Sequence, residues 1–117
     1  MAAGILPLSV EQGATFRKSM VWKINGSPVD LTGYTARLQA RANRSFDPMI
    51  SLTSDTGGGI TLAGAEGRIT ITISADATSG LHAGKHKYDL ELESAGGEVT
   101  RLVRGMFTVS EGMTENE

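Results

Sequence analysis

Strict alternation of apolar and polar residues is the feature that most constrains this chain. In residues 68–74, Ile69, Ile71 and Ile73 alternate with arginine, threonine and serine. Successive side chains of a β-strand point to opposite faces, so the isoleucines are predicted to face a core and the threonines to face outward. Polar residues on one face indicate a half-solvated antiparallel strand, because parallel strands buried on both faces are almost continuously apolar.

The same period recurs along the chain. Residues 88–93 have one apolar face and one acidic face, and residues 34–42 oppose tyrosine, leucine and alanine to threonine, glutamine and arginine. Weaker alternation predicts strands in residues 14–24 and 99–109. Short apolar segments at Ile5–Val10, Met49–Thr53 and Gly59–Ala63 bring the total to about seven strands.

Two of these strands have irregular patterns. In residues 14–24 the apolar face consists of Phe16, Met20, Trp22 and Ile24. In residues 99–109 the residues in phase are Val99, Val103, Phe107 and Val109. Leu102 and Met106 fall on the opposite face of that strand, so it is either covered on both sides or changes phase at a β-bulge marked by Gly105.

Turn residues separate these segments. The chain has 15 glycines in 117 residues, and Asn25-Gly26 is a strong signal for a two-residue hairpin. Asp76 is positioned to cap a single helical turn that ends near Gly80. These features predict an all-β fold, an immunoglobulin-like antiparallel β-sandwich, with a small barrel as the alternative. We expect one domain over residues 1–110 and a flexible acidic tail over 111–117.

Composition excludes several classes of protein. With no cysteine the chain has neither disulfides nor thiolate metal sites, so it needs no oxidising compartment to fold. A formal net charge of −2 gives no indication of nucleic-acid or membrane binding. The N-terminus has no basic region and Pro7 interrupts its apolar run, so we expect no signal peptide and synthesis in the cytoplasm.

Residues with catalytic or ligand chemistry are few. His82 and His86 have the spacing of two metal ligands on a helix, but Gly84 and the following strand argue against a helix there, so both are predicted to be exposed turn residues. The acidic row Asp89, Glu91 and Glu93 is predicted to be a solvated strand face that pairs with Arg37, Arg41, Arg101 or Arg104. The basic stripe formed by Arg37, Arg41 and Arg44 lacks the interleaved aromatic residues of a nucleic-acid surface.

No phosphate-binding loop, dinucleotide fingerprint or nucleophile elbow is present in the sequence. We therefore expect no catalytic residues, no cofactor and no metal, and a protein that is not an enzyme.

Turns and strand starts show a resemblance to a known family. Gly26 to Gly33 reads Gly-Ser-Pro-Val-Asp-Leu-Thr-Gly and leads into a strand ending in arginine, and a late Tyr88-Asp89-Leu90 strand precedes the terminal one. This pattern, spread over residues 12–110, resembles the immunoglobulin-like N-terminal domain of the phage baseplate upper protein family. Members of that family continue into receptor-directed or trimerising regions. Since this sequence stops at Glu117, we expect a free-standing subunit.

The resemblance implies a structural protein of a tailed-phage or prophage virion. Its partners would be other virion proteins in a tail, baseplate or head–tail assembly, and it could form a homo-oligomer in the particle. The alternatives are a capsid decoration protein and a carbohydrate-binding β-sandwich module, although the latter needs exposed aromatic residues and this chain has only 5% aromatics.

Overall fold

The computed structural model describes residues 4–41 and 49–111, which form two β-sheets around a shared core. Arg44 of the predicted basic stripe and residues 112–117 of the predicted tail lie outside the described residues. Among the described residues, no helix is long and apolar enough to cross a membrane.

The described chain contains eleven strands, one short α-helix and one 3₁₀ turn. The strands are β1 (Gly4–Ile5), β2 (Leu8–Glu11), β3 (Phe16–Val21), β4 (Lys23–Ile24), β5 (Ser27–Pro28), β6 (Thr35–Arg41), β7 (Ile50–Thr53), β8 (Ile60–Ala63), β9 (Arg68–Ile73), β10 (Gly84–Glu93) and β11 (Val99–Ser110). The 3₁₀ turn Gly64–Glu66 joins β8 to β9, and α1 (Ala75–Ser79) follows β9.

The two sheets have different sizes. The larger one has six strands: β11, β10, β6 and β7 lie side by side and antiparallel, while β1 and β2 run parallel to β11 along its other edge. The smaller one has the antiparallel order β3-β9-β8. The predicted sandwich is confirmed. The barrel alternative is wrong, since within residues 4–41 and 49–111 only an isolated bridge, Thr53 to Gly59, connects β7 to the segment before β8.

The strongest alternating segments supply the core. Ile69, Ile71 and Ile73 are at most 2% exposed, while Thr70 and Thr72 on the other face of β9 are partly exposed. On the larger sheet, Leu90 lies directly opposite Leu38, and both are fully buried. Buried residues of both sheets belong to one cluster, so each sheet covers the apolar face of the other.

The phase change in β11 occurs at Leu102 and not at Gly105 as predicted. Leu90 is opposite Val103 but the next residue of β10, Glu91, is opposite Arg101, so Leu102 is the extra residue of a β-bulge. The bulge reverses the alternation for the residues before it. Val99 therefore does not share a face with Val103 as predicted, and it is 47% exposed.

The predicted strand over residues 14–24 is two strands with a break at Trp22. The Trp22 N–H donates to the Gly67 carbonyl, in register with the β3–β9 ladder, whereas the Trp22 carbonyl accepts from Val29, so beyond Trp22 the chain pairs with its own hairpin and not with β9. Ile24, predicted to be on the apolar face, is 46% exposed in a separate hairpin of β4 and β5. The Asn25-Gly26 turn itself is confirmed, with φ of 52° and 82°.

Strand β3 lies at the edge of the smaller sheet, where unpaired backbone groups invite association with another chain. Lys18 is opposite the buried Ile71, on the strand face that carries Phe16 and Met20, and it is exposed. A charged side chain on the inner face of an edge strand protects that edge, because an added strand would bury the charge.

The single helical turn is present, but its cap differs from the prediction. The Ser74 hydroxyl accepts from the backbone N–H of Ala77 at 3.1 Å, so Ser74 is the N-cap and Asp76 lies inside the first turn. The helix ends at Gly80 as predicted.

The turn before β6 is held by Asp30. Its Oδ1 accepts from the Thr32 N–H at 3.0 Å and from the Thr32 hydroxyl at 2.6 Å. The hydrogen bond from the Thr32 hydroxyl is the main cause that lowers the pKa of Asp30. Gly33 ends this turn with φ of 83°, a backbone conformation that favours glycine.

Gly33→Val is expected to lower the free energy of unfolding by about 1–3 kcal/mol, because a β-branched residue is strained at positive φ. A Cβ at this position would also lie 3.3 Å from the Cβ of Ala95. Urea denaturation measures the loss, and a change within about 0.5 kcal/mol would contradict a structural role for the turn.

Candidate functional site

The outer side of the larger sheet carries charged side chains in rows, and we call it the charged face. Strand β10 contributes Lys85, Lys87, Asp89, Glu91 and Glu93. The neighbouring strands contribute Arg37 and Arg41 on β6 and Arg101 and Arg104 on β11. Strand β2 adds Glu11, so the charged face has six basic and four acidic side chains, a formal net charge of +2, although the whole chain has a net charge of −2.

Glu91 lies at the centre of an ion-pair cluster on this face. Arg37 Nε donates to Glu91 Oε1 at 2.9 Å, and Arg101 Nη2 donates to Glu91 Oε2 at 3.0 Å. The same two arginines reach the rest of the acidic row, Arg37 to Glu93 at 3.5 Å and Arg101 to Asp89 at 3.2 Å. The predicted cross-strand pairing of the acidic row is confirmed for Arg37 and Arg101.

Both partners in the cluster are held in their charged forms. Burial alone would raise the pKa of Glu91, but the hydrogen bonds and positive charges of Arg37 and Arg101 outweigh burial and lower it. The hydrogen bond with Glu91 is likewise the main cause that raises the pKa of Arg37. A carboxylate held ionised by two guanidinium groups is a poor proton donor or acceptor near neutral pH, so the cluster suits recognition better than acid–base catalysis.

The other predicted partners of the acidic row do not join this cluster. Arg41 Nη2 donates to Gln39 Oε1 at 2.8 Å. Arg104 lies directly opposite Asp89 in the ladder, but Asp89 is bound by Arg101. Within the described part of the chain, Lys85, Lys87 and Arg104 form no ion pair.

Apolar side chains lie beside these unpaired cations. Ile5 is 77% exposed and Met106 is 39% exposed. Together with Lys87, Arg104 and the backbone of Gly105, they line a shallow depression of about 340 Å³. We call Ile5, Lys85, Lys87, Arg104 and Met106 the basic patch.

The N-terminal segment that brings Ile5 to the patch is fixed from the core side. The Tyr88 ring is buried, and its hydroxyl donates to the Leu6 carbonyl. Gly105 is opposite Tyr88, and a Cβ there would lie 2.6 Å from the Leu6 oxygen. Only glycine lets the backbone approach this closely.

Tyr88→Phe is expected to lower the free energy of unfolding by about 1–2 kcal/mol at neutral pH, because the Leu6 carbonyl loses its hydrogen bond from the hydroxyl. Burial raises the pKa of Tyr88 from 10.0 to about 12. A raised pKa in the folded state means that stability present below pH 10 is lost as the pH rises towards 12.

Urea denaturation between pH 7 and pH 12 tests both points. Tyr34→Phe is the matched control, since the Tyr34 hydroxyl makes no hydrogen bond with a described residue. An alkaline loss of stability as large in Tyr88→Phe as in the unsubstituted protein would contradict the assignment to Tyr88.

The two histidines do not form a metal site with other described residues. His86 is not an exposed turn residue as predicted: it is 7% exposed, on β10, opposite Phe107. Its Nε2 donates to the backbone carbonyl of His82 at 2.8 Å, while its buried Nδ1 has no hydrogen-bond partner among the described residues. In the same ranges, no three His, Asp or Glu residues are grouped as a metal site requires.

A second concave feature lies beside the loop that joins β7 to β8. This groove has a volume of about 730 Å³, and Leu52, Ile60 and Ile73 are among the residues that line it. Tyr34 and Asp55 are the titratable side chains among its described lining residues. A single carboxylate without a basic or acidic partner does not form a catalytic pair.

Sequence reasoning found the charged rows but missed the basic patch. Ile5 was predicted to begin a strand, yet its partner could not be read from the sequence. The parallel pairing of Ile5 with Arg104 joins residues almost a whole chain apart, and no local pattern encodes it.

The overall fold is similar to that of known immunoglobulin-like domains. The extracellular domain of the voltage-gated sodium channel β4 subunit, solved as parallel homodimers that explain its role in cell–cell adhesion, matches 97% of both chains with a TM-score of 0.50 and 9% identity. A structure from work on the cell-adhesive interactions of sodium channel β subunits matches 94% of this chain and 96% of its own, with a TM-score of 0.47 and 10% identity.

At 9% identity the first similarity establishes the fold alone, and it confirms the predicted immunoglobulin-like β-sandwich. No protein-family model matches the sequence, and no curated protein matches it.

Proposed function

We propose that this chain is a non-enzymatic structural protein of a tailed-phage or prophage virion, a tail, baseplate or head–tail component that docks onto other virion proteins. The sequence resemblance over residues 12–110 supports the setting. The observation that carries the docking role is the charged face, an open sheet surface with ten charged side chains and a net charge of +2.

The charged face is suited to specific protein contacts. Cross-strand pairs hold Arg37, Glu91 and Arg101 in fixed positions, so a partner meets a preset pattern of charge. Complementary charge patterns speed encounter and exclude wrong partners more than they add affinity. Nucleic acid is a poorer fit, because the acidic row runs through the middle of the face between two flanking rows of arginine.

The size of the face favours docking in many copies. Five strands about 4.8 Å apart, each about seven residues long, make a surface of roughly 24 by 23 Å. That is below the area that a stable protein–protein interface buries on each partner. A single contact of this size is weak, whereas repeated copies on a symmetric particle hold firmly together.

Mass spectrometry of purified virions from the phage or prophage that encodes the chain tests this function. We expect the chain in mature particles at the same detection depth as known tail and capsid proteins. Its presence in tails but not in tail-free, DNA-filled heads would assign it to the tail, and the opposite result would assign it to capsid decoration. Its absence from mature particles would contradict a virion role.

A further inference from the structure

The basic patch has more positive charge than the fold can satisfy. Lys85, Lys87 and Arg104 make no ion pair with any residue in 4–41 or 49–111, and the nearest acidic residue in the ladder, Asp89, is bound by Arg101. Lys85 and Lys87 continue the line of the acidic row along β10, and Arg104 lies beside its end on the adjacent strand β11, opposite Asp89. An acidic partner would therefore meet them together.

The patch also has an apolar component. Ile5 is the most exposed large hydrophobic residue of the described chain at 77%, and it lies beside Met106 across the shallow depression. Exposed apolar area next to fixed charges is typical of a docking site, because a partner removes the apolar area from water while pairing the charges. The fitting occupant is an acidic segment with one flexible apolar side chain.

The chain itself contains such a segment. Residues 111–117 read Glu-Gly-Met-Thr-Glu-Asn-Glu, with three glutamates, one methionine and no basic residue. The three glutamates equal the three unpaired cations in number and are opposite to them in charge. The methionine matches the depression lined by Ile5 and Met106 in chemistry.

We propose that residues 111–117 of one copy bind the basic patch of a second copy. This proposal rests on the proposed docking function. It identifies the docking partner as a second copy of the same chain. Each copy supplies one tail and one patch, so two copies can close by exchanging tails, and further copies can join where the exchange does not close.

Distance along the chain favours a second copy over the chain's own tail. Ser110 is the last residue of β11, and Met106 lies four residues before it, about 13 Å away at 3.3 Å per residue. Met113 is three residues beyond Ser110 and reaches at most about 10 Å from it. To fold back, the chain must first reverse direction, and a tight turn uses about two of these three residues, so its own Met113 returns only to about the level of Ser110 and its side chain falls short of the depression. A neighbour's tail has no such limit.

Sedimentation velocity of the full-length chain over a range of concentrations tests the proposal. At low ionic strength we expect dimers and larger species whose share grows with concentration, and we expect their share to fall at about 0.15 M salt because the pairs are solvent-exposed. A chain that stays monomeric at every concentration and ionic strength would overturn the proposal. If that chain is nevertheless present in virions, the docking function stands without this contact.

Two complementary variants make the test specific. Lys87→Glu with Arg104→Glu removes the patch and keeps the tail, and Glu111→Gln, Glu115→Gln and Glu117→Gln together neutralise the tail and keep the patch. Each alone is expected to lose association by at least about tenfold, the change expected when several charge pairs are lost together. Their equimolar mixture is expected to form 1:1 dimers and nothing larger, since one variant supplies only tails and the other only patches.

The control variant is Arg17→Glu with Lys23→Glu, which makes the same change of charge outside the charged face. It is expected to associate like the unsubstituted chain, and circular dichroism checks that every variant is folded. Failure of the mixture to form dimers would overturn the proposal. Equal loss of association in the control would also overturn it, because net charge and not the patch would then be responsible.

Discussion

Ile71→Ala is expected to lower the free energy of unfolding by about 2–5 kcal/mol, the range for removing a buried aliphatic side chain and leaving a cavity. Ile71 is fully buried in the middle strand of the smaller sheet, opposite Lys18 on one side and Ile60 on the other. Because these neighbours lie in hydrogen-bonded ladders, the backbone can move little to fill the space.

Thr70→Ala is the matched control on the same strand. Its hydroxyl lies 3.0 Å from that of Ser19 in an exposed pair, so we expect a loss below about 1 kcal/mol. Thermal and urea denaturation of both variants measure the difference. Equal losses would mean that the outer face of β9 is covered as well as the inner one.

Gly67→Ala is expected to be at least as damaging, with a loss of about 2–5 kcal/mol from strain and overpacking combined. Gly67 has φ of 66°, and a Cβ there would lie 2.7 Å from the Trp22 carbonyl oxygen and 2.9 Å from the Val29 carbonyl oxygen. Both contacts are with backbone, so no side-chain rotation relieves them. The Gly67 carbonyl also accepts the Trp22 N–H, in register with the β3–β9 ladder, so moving it disturbs the end of that ladder at the break between β3 and β4.

Gly57→Ala separates the two causes of this loss. Gly57 has φ of 78°, yet no atom lies within 4 Å of the position that an alanine methyl group would take, so this variant reports backbone strain without the clash. We expect it to lose about 1 kcal/mol. If denaturation shows the same loss for Gly57→Ala and Gly67→Ala, the close approach at Gly67 contributes nothing.

Local patterns predicted those parts of the fold that depend on neighbouring residues. The alternation at Ile69, Ile71 and Ile73 predicted both a strand and its buried face, because side-chain direction in a strand repeats every two residues. Asn25-Gly26 predicted a hairpin, because few other residue pairs adopt positive φ twice in succession. These signals are short-range, so the sequence alone carries them.

Predictions of which side chains face the core were wrong where the tertiary structure interrupted an alternating pattern. The bulge at Leu102 moved Val99 to the surface. The hydrogen bond from Val29 to the Trp22 carbonyl ended the pairing with β9, and Ile24 lies exposed in the β4–β5 hairpin. His86 was predicted to be exposed because it follows a turn, but β10 begins at Gly84 and places its side chain inward. In each case a partner distant in sequence decided the outcome.

The candidate site divides in the same way. The sequence by itself determined that the outer positions of β10 are charged and that arginines on other strands are available to pair with them. Only the tertiary structure decided that Glu91 binds Arg37 and Arg101, and that Arg104 is left without an ion pair among the described residues, beside Ile5. Strand register and the parallel pairing of β1 with β11 determine which of these side chains are neighbours. The sequence alone does not determine this, because an ion pair depends on distances of a few ångströms between segments that are far apart along the chain.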